Sequence, residues 1–278
     1  MNFEQIKILA QKVKDNVSKV IVGKGEVIDQ LLIALIASGN VLLEDVPGMG
    51  KTMLAKSMAL SLNCTFKRIQ FTPDLLPSDL TGINYYNQKS GEFEFRPGPI
   101  FTNILLADEI NRATPRTQSS LLECMEERQV TVDGDTRKLN SPFMVIATQN
   151  PVETQGTFPL PEAQLDRFLL KVKMGYPTTA EGVEILRRFK EANPLVDIQP
   201  VVDKEDIVAA QKSYSKVYVS DDMLEYIVKI AERTRQHNDV ILGVSPRGSQ
   251  ALLKTAQVHA ILQGRDFVTP DDIKAMAK

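Results

Sequence analysis

The chain has 278 residues, of which 43% are hydrophobic, enough to bury a sizeable core in more than one domain. Its formal net charge of −2 excludes a global basic field that would favour nucleic acid or an anionic membrane. The two histidines and two cysteines are scattered along the chain, so neither a zinc site nor a Ser-His-Asp triad is expected.

The isolated residues with reactive side chains are expected to be structural. Cys64 and Cys124 lack metal-ligand spacing and are predicted to be small buried hydrophobic residues in a reducing, intracellular setting. His259 falls on a predicted helix and is expected to be a residue of its face rather than a ligand. Residues 1–5 lack the order of a signal peptide, and no apolar run of about 18 residues could span a bilayer. We therefore expect a cytoplasmic protein without a membrane span.

The N-terminal segment predicts two helices. Residues 3–19 carry apolar side chains at helical spacing, and residues 27–38 are strongly apolar before a glycine ends the helix. The connecting segment, 20–25, is apolar and contains two glycines. If a nucleotide binds nearby, this segment can lie over an adenine ring, which makes Val22 and Gly23 candidate contacts. Plain packing of the segment explains its composition equally well.

Residues 41–59 predict a strand, a glycine loop and a helix in succession. The run 41–43 is apolar, and residues 53–59 are good helix formers. The proline and two glycines between them fit neither element. This layout is typical of a phosphate-binding P-loop, in which backbone N–H groups and a helix N-terminus face the phosphates. The candidate nucleotide-binding residues of this loop are Val46, Pro47, Gly48, Met49, Gly50, Lys51 and Thr52.

Two residues of this loop have specific predicted roles. Lys51 would reach the β- and γ-phosphates of ATP, and the hydroxyl of Thr52 would ligate Mg²⁺. The strict pattern G-x-x-x-x-G-K-[ST] is not met, because Asp45 occupies its first glycine position. That glycine is not the one closest to the phosphates, so we expect the mechanism to be intact. The alternative is a turn with an incidental Gly-Lys-Thr, which the strand and helix on the correct sides argue against.

A second chemical feature follows about 55 residues later. Residues 64–71 predict a strand and residues 81–96 a hairpin. Residues 104–107 are then an apolar run that ends in Asp108 and Glu109. A buried parallel strand that delivers carboxylates at its C-terminal end is the Walker B arrangement. Asp108 is predicted to hold the Mg²⁺ shell, and Glu109 to orient and activate the attacking water.

The next buried strand, 143–148, ends beside a polar amide. A helix at 112–128 and a hairpin at 129–139 precede it. Asn150 would lie close to Glu109 and the γ-phosphate, where its amide can position water. A capping asparagine before Pro151 is the alternative.

The remainder of the chain predicts a helical domain. The last core strand is expected at 169–174, which gives domains at 1–176 and 177–278. Arg247 begins the penultimate helix, at the end where the helix dipole disfavours a cation, and this placement predicts an anionic partner. A surface arginine is the alternative. Helices are predicted at 180–192, 204–212, 220–236, 247–262 and 270–277.

Together these residues resemble the AAA+ ATPases, and most closely the MoxR-type group, over essentially the whole chain. The most specific match is Ala-Thr-Gln-Asn-Pro at 147–151, followed by Pro-Leu-Pro-Glu-Ala-Gln-Leu-Asp-Arg-Phe at 159–168. The resemblance implies an α/β P-loop NTPase fold, with a parallel five-stranded sheet in the order 5-1-4-3-2, helices on both faces, and a small all-α lid. Further matching stretches are 42–52, 105–112 and 243–247.

The resemblance also implies roles for particular residues. Asn150 is similar to sensor 1, and Arg167 to the arginine finger that enters a neighbouring subunit's site. Arg247 is similar to the sensor 2 arginine, and whether it acts within its own subunit or on a neighbour is left open. The hairpins at about 81–97 and 129–140 are similar to the helix 2 and pre-sensor 1 inserts, which commonly face the pore or a partner. Relatives usually continue for some tens of residues past 271–272, which leaves open a lid that is incomplete at Lys278.

The implied function is a Mg²⁺-dependent ATPase that works as a ring, expected to be hexameric, with ATP/ADP and Mg²⁺ as cofactors. Family members act as chaperone-like factors that remodel client proteins or help insert metals or cofactors, often with a von Willebrand factor A domain protein. A DNA-translocating motor is one alternative, for which Lys89, Arg96, Arg137 and Lys138 could line a basic pore, although the charge balance makes nucleic acid an unexpected partner. A nucleotide-sensing module with little turnover is another, which the intact catalytic residues argue against.

Overall fold

The computed structural model describes residues 1–152, 156–191 and 193–277. A parallel sheet lies at its centre, and two antiparallel hairpins project from it. The strands are β1 (Val41–Glu44), β2 (Phe66–Gln70), β3 (Gly82–Asn87), β4 (Glu92–Pro97), β5 (Ile104–Asp108), β6 (Gln129–Val132), β7 (Asp135–Lys138), β8 (Met144–Gln149) and β9 (Leu170–Val172). The α-helices are α1 (Phe3–Ser18), α2 (Gly25–Ile36), α3 (Lys51–Ser61), α4 (Pro77–Thr81), α5 (Pro115–Glu127), α6 (Glu162–Leu165), α7 (Thr179–Glu191), α8 (Lys204–Gln211), α9 (Asp221–Gln236), α10 (Pro246–Leu262) and α11 (Pro270–Met276).

The central sheet has five strands in the spatial order β2-β5-β8-β1-β9, and all neighbouring strands are parallel. When only these core strands are counted along the chain, the order from the other edge is 5-1-4-3-2. The predicted topology is therefore confirmed. Because the strands are parallel, their C-terminal ends lie at one edge of the sheet, and this edge is where polar side chains from several strands can meet.

Both faces of the central strands are buried, which explains why their sequences are continuous apolar runs rather than alternating ones. In β1, Val41 and Leu43 belong to one apolar cluster and Leu42 to another, so successive side chains point to opposite faces. Helices α1, α2 and α3 cover the first face, and α5 covers the second. This arrangement confirms the prediction of helices on both faces.

A third apolar cluster joins the two ends of the chain. It brings Ile6 of α1 and Ile33 of α2 together with Ile227, Ile261 and Ile273 of the C-terminal helices. The C-terminal helical part therefore packs directly on the first two helices. The division into domains at residue 176 stays a prediction.

The two hairpins pack against each other. The amide of Asn84 in β3 donates to the carboxylate of Asp133, which lies in the β6–β7 turn, at 2.9 Å. The guanidinium of Arg137 lies 4.0 Å from the centre of the Phe95 ring and also pairs with Asp135. Arg137, one candidate for a basic pore lining, is thus engaged within the hairpin pair.

Some predicted elements differ in detail from the observed ones. The helix predicted at 112–128 begins instead at Pro115, after a short 3-10 helix at Ile110–Arg112. The cause is Pro115, which disfavours a helical conformation at Thr114 and is itself favoured in the first turn of a helix. Cys124 is buried and Cys64 partly so, and burial raises the pKa of both thiols to about 12, in keeping with a structural role.

Within the described ranges, no helix is long and apolar enough to cross a membrane.

Candidate nucleotide-binding site

The C-terminal edge of the sheet brings the sequence-predicted residues of three strands together. The glycine loop follows β1, Asp108 ends β5, and Asn150 directly follows β8. Because β8 lies between β1 and β5, the three positions are neighbours along this edge. The predicted phosphate, magnesium and water-positioning residues therefore occupy a common region.

The glycine loop is open toward solvent at the positions where a phosphate would lie. Gly48 and Gly50 have left-handed φ angles of 83° and 82°, which only glycine adopts without strain. A Cβ added at either position would meet no heavy atom within 4 Å. Helix α3 starts at Lys51, and no side chain caps its N-terminus. The N–H groups of its first turn are therefore available to an anion, which is the condition that phosphate binding requires.

Lys51 has a partner within its own loop. Its Nζ donates to the backbone carbonyl oxygen of Asp45 at 3.0 Å. The ammonium is thereby held over the loop, close to where the β- and γ-phosphates of a nucleotide would lie. Thr52, the candidate magnesium ligand, follows in the first helical turn.

Asp45 replaces the first glycine of the strict P-loop pattern and has a structural role. Its side chain is buried, and one carboxylate oxygen accepts hydrogen bonds from the backbone N–H groups of Met174 and Gly175, at 2.7 and 2.8 Å. The other oxygen accepts from the N–H of Val46 at 3.1 Å. Asp45 thus ties the glycine loop to the segment that follows β9. The sequence pattern marked this residue only as a departure from the motif.

The candidate magnesium ligand, Asp108, has two protein partners. Nη2 and Nε of Arg68 donate to one carboxylate oxygen at 2.7 and 3.1 Å, and the hydroxyl of Thr148 donates to the other at 2.5 Å. Carboxylate and hydroxyl oxygens are the ligands that Mg²⁺ prefers, so Asp108 and Thr52 fit this ion. The guanidinium of Arg68 occupies one of the two Asp108 oxygens that could bind a cation, so Arg68 and a cation can compete for this carboxylate.

Glu109 is held in a defined orientation by neighbours from two elements. Its Oε2 accepts from the side-chain amide of Gln70 at 2.6 Å and pairs with Nε of Arg112 at 3.0 Å. Its backbone N–H donates to the hydroxyl of Thr148 at 2.8 Å. One threonine therefore fixes both acidic residues. Arg68, Gln70 and Thr148 were missed in the sequence, although their positions near the ends of β2 and β8 could have suggested them.

The remaining candidates on the nucleotide side lie in two places. Asn150 accepts from the backbone N–H of Val152 at 3.2 Å through its Oδ1, an interaction typical of a turn. Val22 and Gly23 lie beside Lys24, whose Nζ donates to the carbonyl oxygen of Tyr176 at 3.2 Å. Tyr176 is the residue after Gly175, whose backbone N–H donates to Asp45. The segment that contains Val22 and Gly23 therefore lies close to the glycine loop, on the side of β9.

Arg167 and Arg247 lie elsewhere, at the N-terminal edge of the sheet. Both contact Glu126 on α5: Nε of Arg167 lies 3.4 Å from Oε2, and Nη2 of Arg247 donates to Oε1. The same region contains Ser38 and the start of β8, which Arg128 joins through hydrogen bonds to the carbonyl oxygens of Ser38 and Phe143. The two candidate arginines are therefore brought together, but away from the glycine loop of their own subunit.

The parallel sheet, with a glycine loop after β1 and paired acids at the end of β5, is the arrangement of the P-loop fold of the AAA ATPase family. Residues 40–170 match the ATPase family associated with various cellular activities (AAA), and residues 232–278 match the AAA lid domain. The chain belongs to the MoxR family of AAA ATPases.

Three similar proteins support this assignment. The uncharacterized protein YeaC of Bacillus subtilis is 55% identical over 99% of this chain and 86% of its own length. The chaperone MoxR1 of Mycobacterium tuberculosis is 41% identical over 92% of this chain and 70% of its own. A crystal structure of a provisionally assigned ATPase from Cytophaga hutchinsonii superimposes with a TM-score of 0.91 at 41% identity, covering 98% of this chain and 86% of that one.

Proposed function

We propose that this chain is a Mg²⁺-dependent ATPase that hydrolyses ATP at sites shared between neighbouring subunits of a ring. The main observation that supports this proposal is the position of Arg167 and Arg247. Both lie at the N-terminal edge of the sheet, whereas the glycine loop lies at the C-terminal edge. The separation of both arginines from the glycine loop of their own chain supports a role at the nucleotide of a neighbour.

Within a subunit, the glycine loop supplies binding and the strand ends supply chemistry. Lys51 exchanges its bond to the Asp45 carbonyl for phosphate oxygens, and the N–H groups of the first turn of α3 add further donors. Thr52 and Asp108 would hold Mg²⁺, which neutralises phosphate charge when bound. Glu109 accepts the proton of the attacking water, and because Gln70 and Arg112 both contact Oε2, the Oε1 oxygen can do so without loss of either contact.

Asn150, Arg167 and Arg247 complete the proposed site. The amide of Asn150, beside β5, positions the water relative to the γ-phosphate. The two arginines, acting on the neighbour's nucleotide, stabilise charge on the transferring phosphoryl group. An arginine supplied in this way is worth about 10³–10⁵ in kcat, so an isolated subunit is expected to be nearly idle.

The biological role proposed is chaperone-like remodelling of client proteins, which the name of the similar protein MoxR1 supports. Three further parts of the proposal rest on resemblance to the family. They are insertion of a metal or cofactor into a client, a hexameric ring, and a partner with a von Willebrand factor A domain.

The first experiment measures ATP turnover per subunit against protein concentration at saturating MgATP. A steep rise to a plateau is expected, since the site is completed between subunits. A flat, measurable rate would show that each chain is self-sufficient and would refute the shared site.

Mixing two inactive variants tests the same point directly. Arg167→Ala retains the glycine loop, and Lys51→Ala retains the arginines, so mixed rings contain some complete sites. Partial recovery of turnover on mixing is expected. No recovery, with mixed assembly verified, would contradict the shared-site mechanism.

A further inference from the structure

Glu126 connects two candidate catalytic groups from different parts of the chain. It lies near the C-terminal end of α5. Arg167, just before β9, approaches one of its carboxylate oxygens, and Arg247, in the first turn of α10, approaches the other. A single carboxylate therefore joins an arginine of the sheet domain to an arginine of the C-terminal helices.

The way each arginine binds leaves its phosphate-binding atoms available. Arg167 approaches Glu126 through Nε, at 3.4 Å, so its two terminal nitrogens, which form the fork that binds phosphate bidentately, have no hydrogen-bond partner within the described ranges. Arg247 uses only one of its terminal nitrogens. A guanidinium has five N–H donors, so each arginine can keep Glu126 and still bind a phosphate oxygen.

The charges explain why a carboxylate is needed at this position. Two guanidinium groups on the oxygens of one carboxylate are close enough to repel each other, and the negative charge between them offsets that repulsion. Arg247 has a second unfavourable contact, because it is a cation at the N-terminus of α10. Glu126 is the anionic partner that this placement requires. Without it, the two side chains would be expected to move apart.

We propose that Glu126 is a positioning residue that presents Arg167 and Arg247 as a pair to the nucleotide of the neighbouring subunit. The inference rests on the proposed shared site. It adds that the geometry of the pair is set within one subunit before any neighbour binds. It also makes Glu126 the contact through which a movement of α10 reaches Arg167.

The test is Glu126→Gln, which keeps the size of the side chain and removes its charge. Glu127→Gln is the matched control, because Glu127 is the adjacent acid on α5, it is exposed, and no ion pair involves it among the described residues. For each variant, kcat and KM for MgATP are measured at a protein concentration on the plateau, with ring assembly followed by sedimentation. Affinity for MgADP with aluminium fluoride, compared with MgADP alone, reports on the arginines without turnover.

Glu126→Gln is expected to lower kcat roughly 10-fold to 100-fold, since a misplacement of about 1 Å can cost about 100-fold. KM and assembly should be unchanged, because nucleotide binding uses the other edge of the sheet. The affinity for the aluminium fluoride complex should fall while that for MgADP does not. Glu127→Gln should behave as the unmodified chain.

Several outcomes would overturn the proposal, and Arg167→Ala separates them from failure of the shared site. If Arg167→Ala loses turnover but Glu126→Gln keeps it, the shared site stands and the positioning role is wrong. An increase in kcat would mean that Glu126 holds the arginines back. If Glu126→Gln loses turnover and a higher protein concentration restores it, Glu126 acts in assembly of the ring instead. An active Arg167→Ala would refute the shared site itself.

Discussion

Replacing Asp45 with glycine restores the strict P-loop pattern, yet we expect it to destabilise the protein. The carboxylate of Asp45 accepts hydrogen bonds from the backbone N–H groups of Met174, Gly175 and Val46. Asp45 does not have a left-handed φ, so glycine brings no conformational relief. The substitution therefore removes three hydrogen bonds and also increases the conformational entropy of the unfolded chain, which lowers stability further.

The size of the effect follows from the surroundings of each donor. The N–H of Met174 is buried, and leaving it without an acceptor costs about 1–3 kcal/mol. Gly175 is exposed, so water can replace part of its bond, at a cost of about 1 kcal/mol. The added backbone freedom of glycine costs about 0.5–1 kcal/mol more. The expected loss is about 2.5–5 kcal/mol, a large fraction of the total stability of a domain.

Urea unfolding of Asp45→Gly, with Asp45→Asn as the matched control, measures this loss. Asparagine keeps one acceptor oxygen for Met174 and Gly175 but places an amide against the N–H of Val46, so an intermediate loss is expected. If Asp45→Gly unfolds within about 0.5 kcal/mol of the unmodified chain, the carboxylate does not hold the loop in solution and the reasoning is wrong.

Three further predictions concern acidic residues of the chain. Glu109→Gln should bind ATP but not hydrolyse it, and normal turnover in this variant would remove Glu109 from its proposed role. Arg68→Ala should lower the Mg²⁺ concentration needed for tight nucleotide binding by about 2-fold to 5-fold, because the partly exposed ion pair between Arg68 and Asp108 contributes up to about 1 kcal/mol. An unchanged Mg²⁺ dependence would show that Arg68 does not compete with Mg²⁺ for Asp108. Burial alone would raise the pKa of Asp272, but hydrogen bonds, chiefly from Arg265, hold that pKa at about 2. Its stabilising contribution is therefore present above pH 4 and lost as the pH falls toward 2, and Asp272→Asn should flatten acid unfolding in that range.

The sheet and its glycine loop were predictable because local sequence determines them. Residues 41–43 and 104–107 are short apolar runs typical of a strand buried on both faces, and Gly48 and Gly50 favour a loop. The polar residues at the ends of these strands could be placed for the same reason. Short-range patterns thus determined both the topology and the region of the candidate site.

The partners of the candidate residues were not predictable, because they depend on contacts between distant segments. Gln70 reaches Glu109 only because β2 pairs with β5 in a register that sets Gln70 opposite Asp108. Glu126 is an exposed acid on an amphipathic helix, a pattern that normally indicates a solvated face. Only its contacts with Arg167 and Arg247, which come from later segments of the chain, give it a role.

The apolar cluster that joins the two ends of the chain also constrains how the protein can be made. Ile6 and Ile261 share this cluster, although about 255 residues separate them. At about 5–20 residues per second, a ribosome needs on the order of 10 to 50 s between the two. For most of that interval α2 has been synthesised, while Ile33 and Ile36 lack their partners from α10. The nascent chain must therefore protect an apolar helix face until α10 has been synthesised.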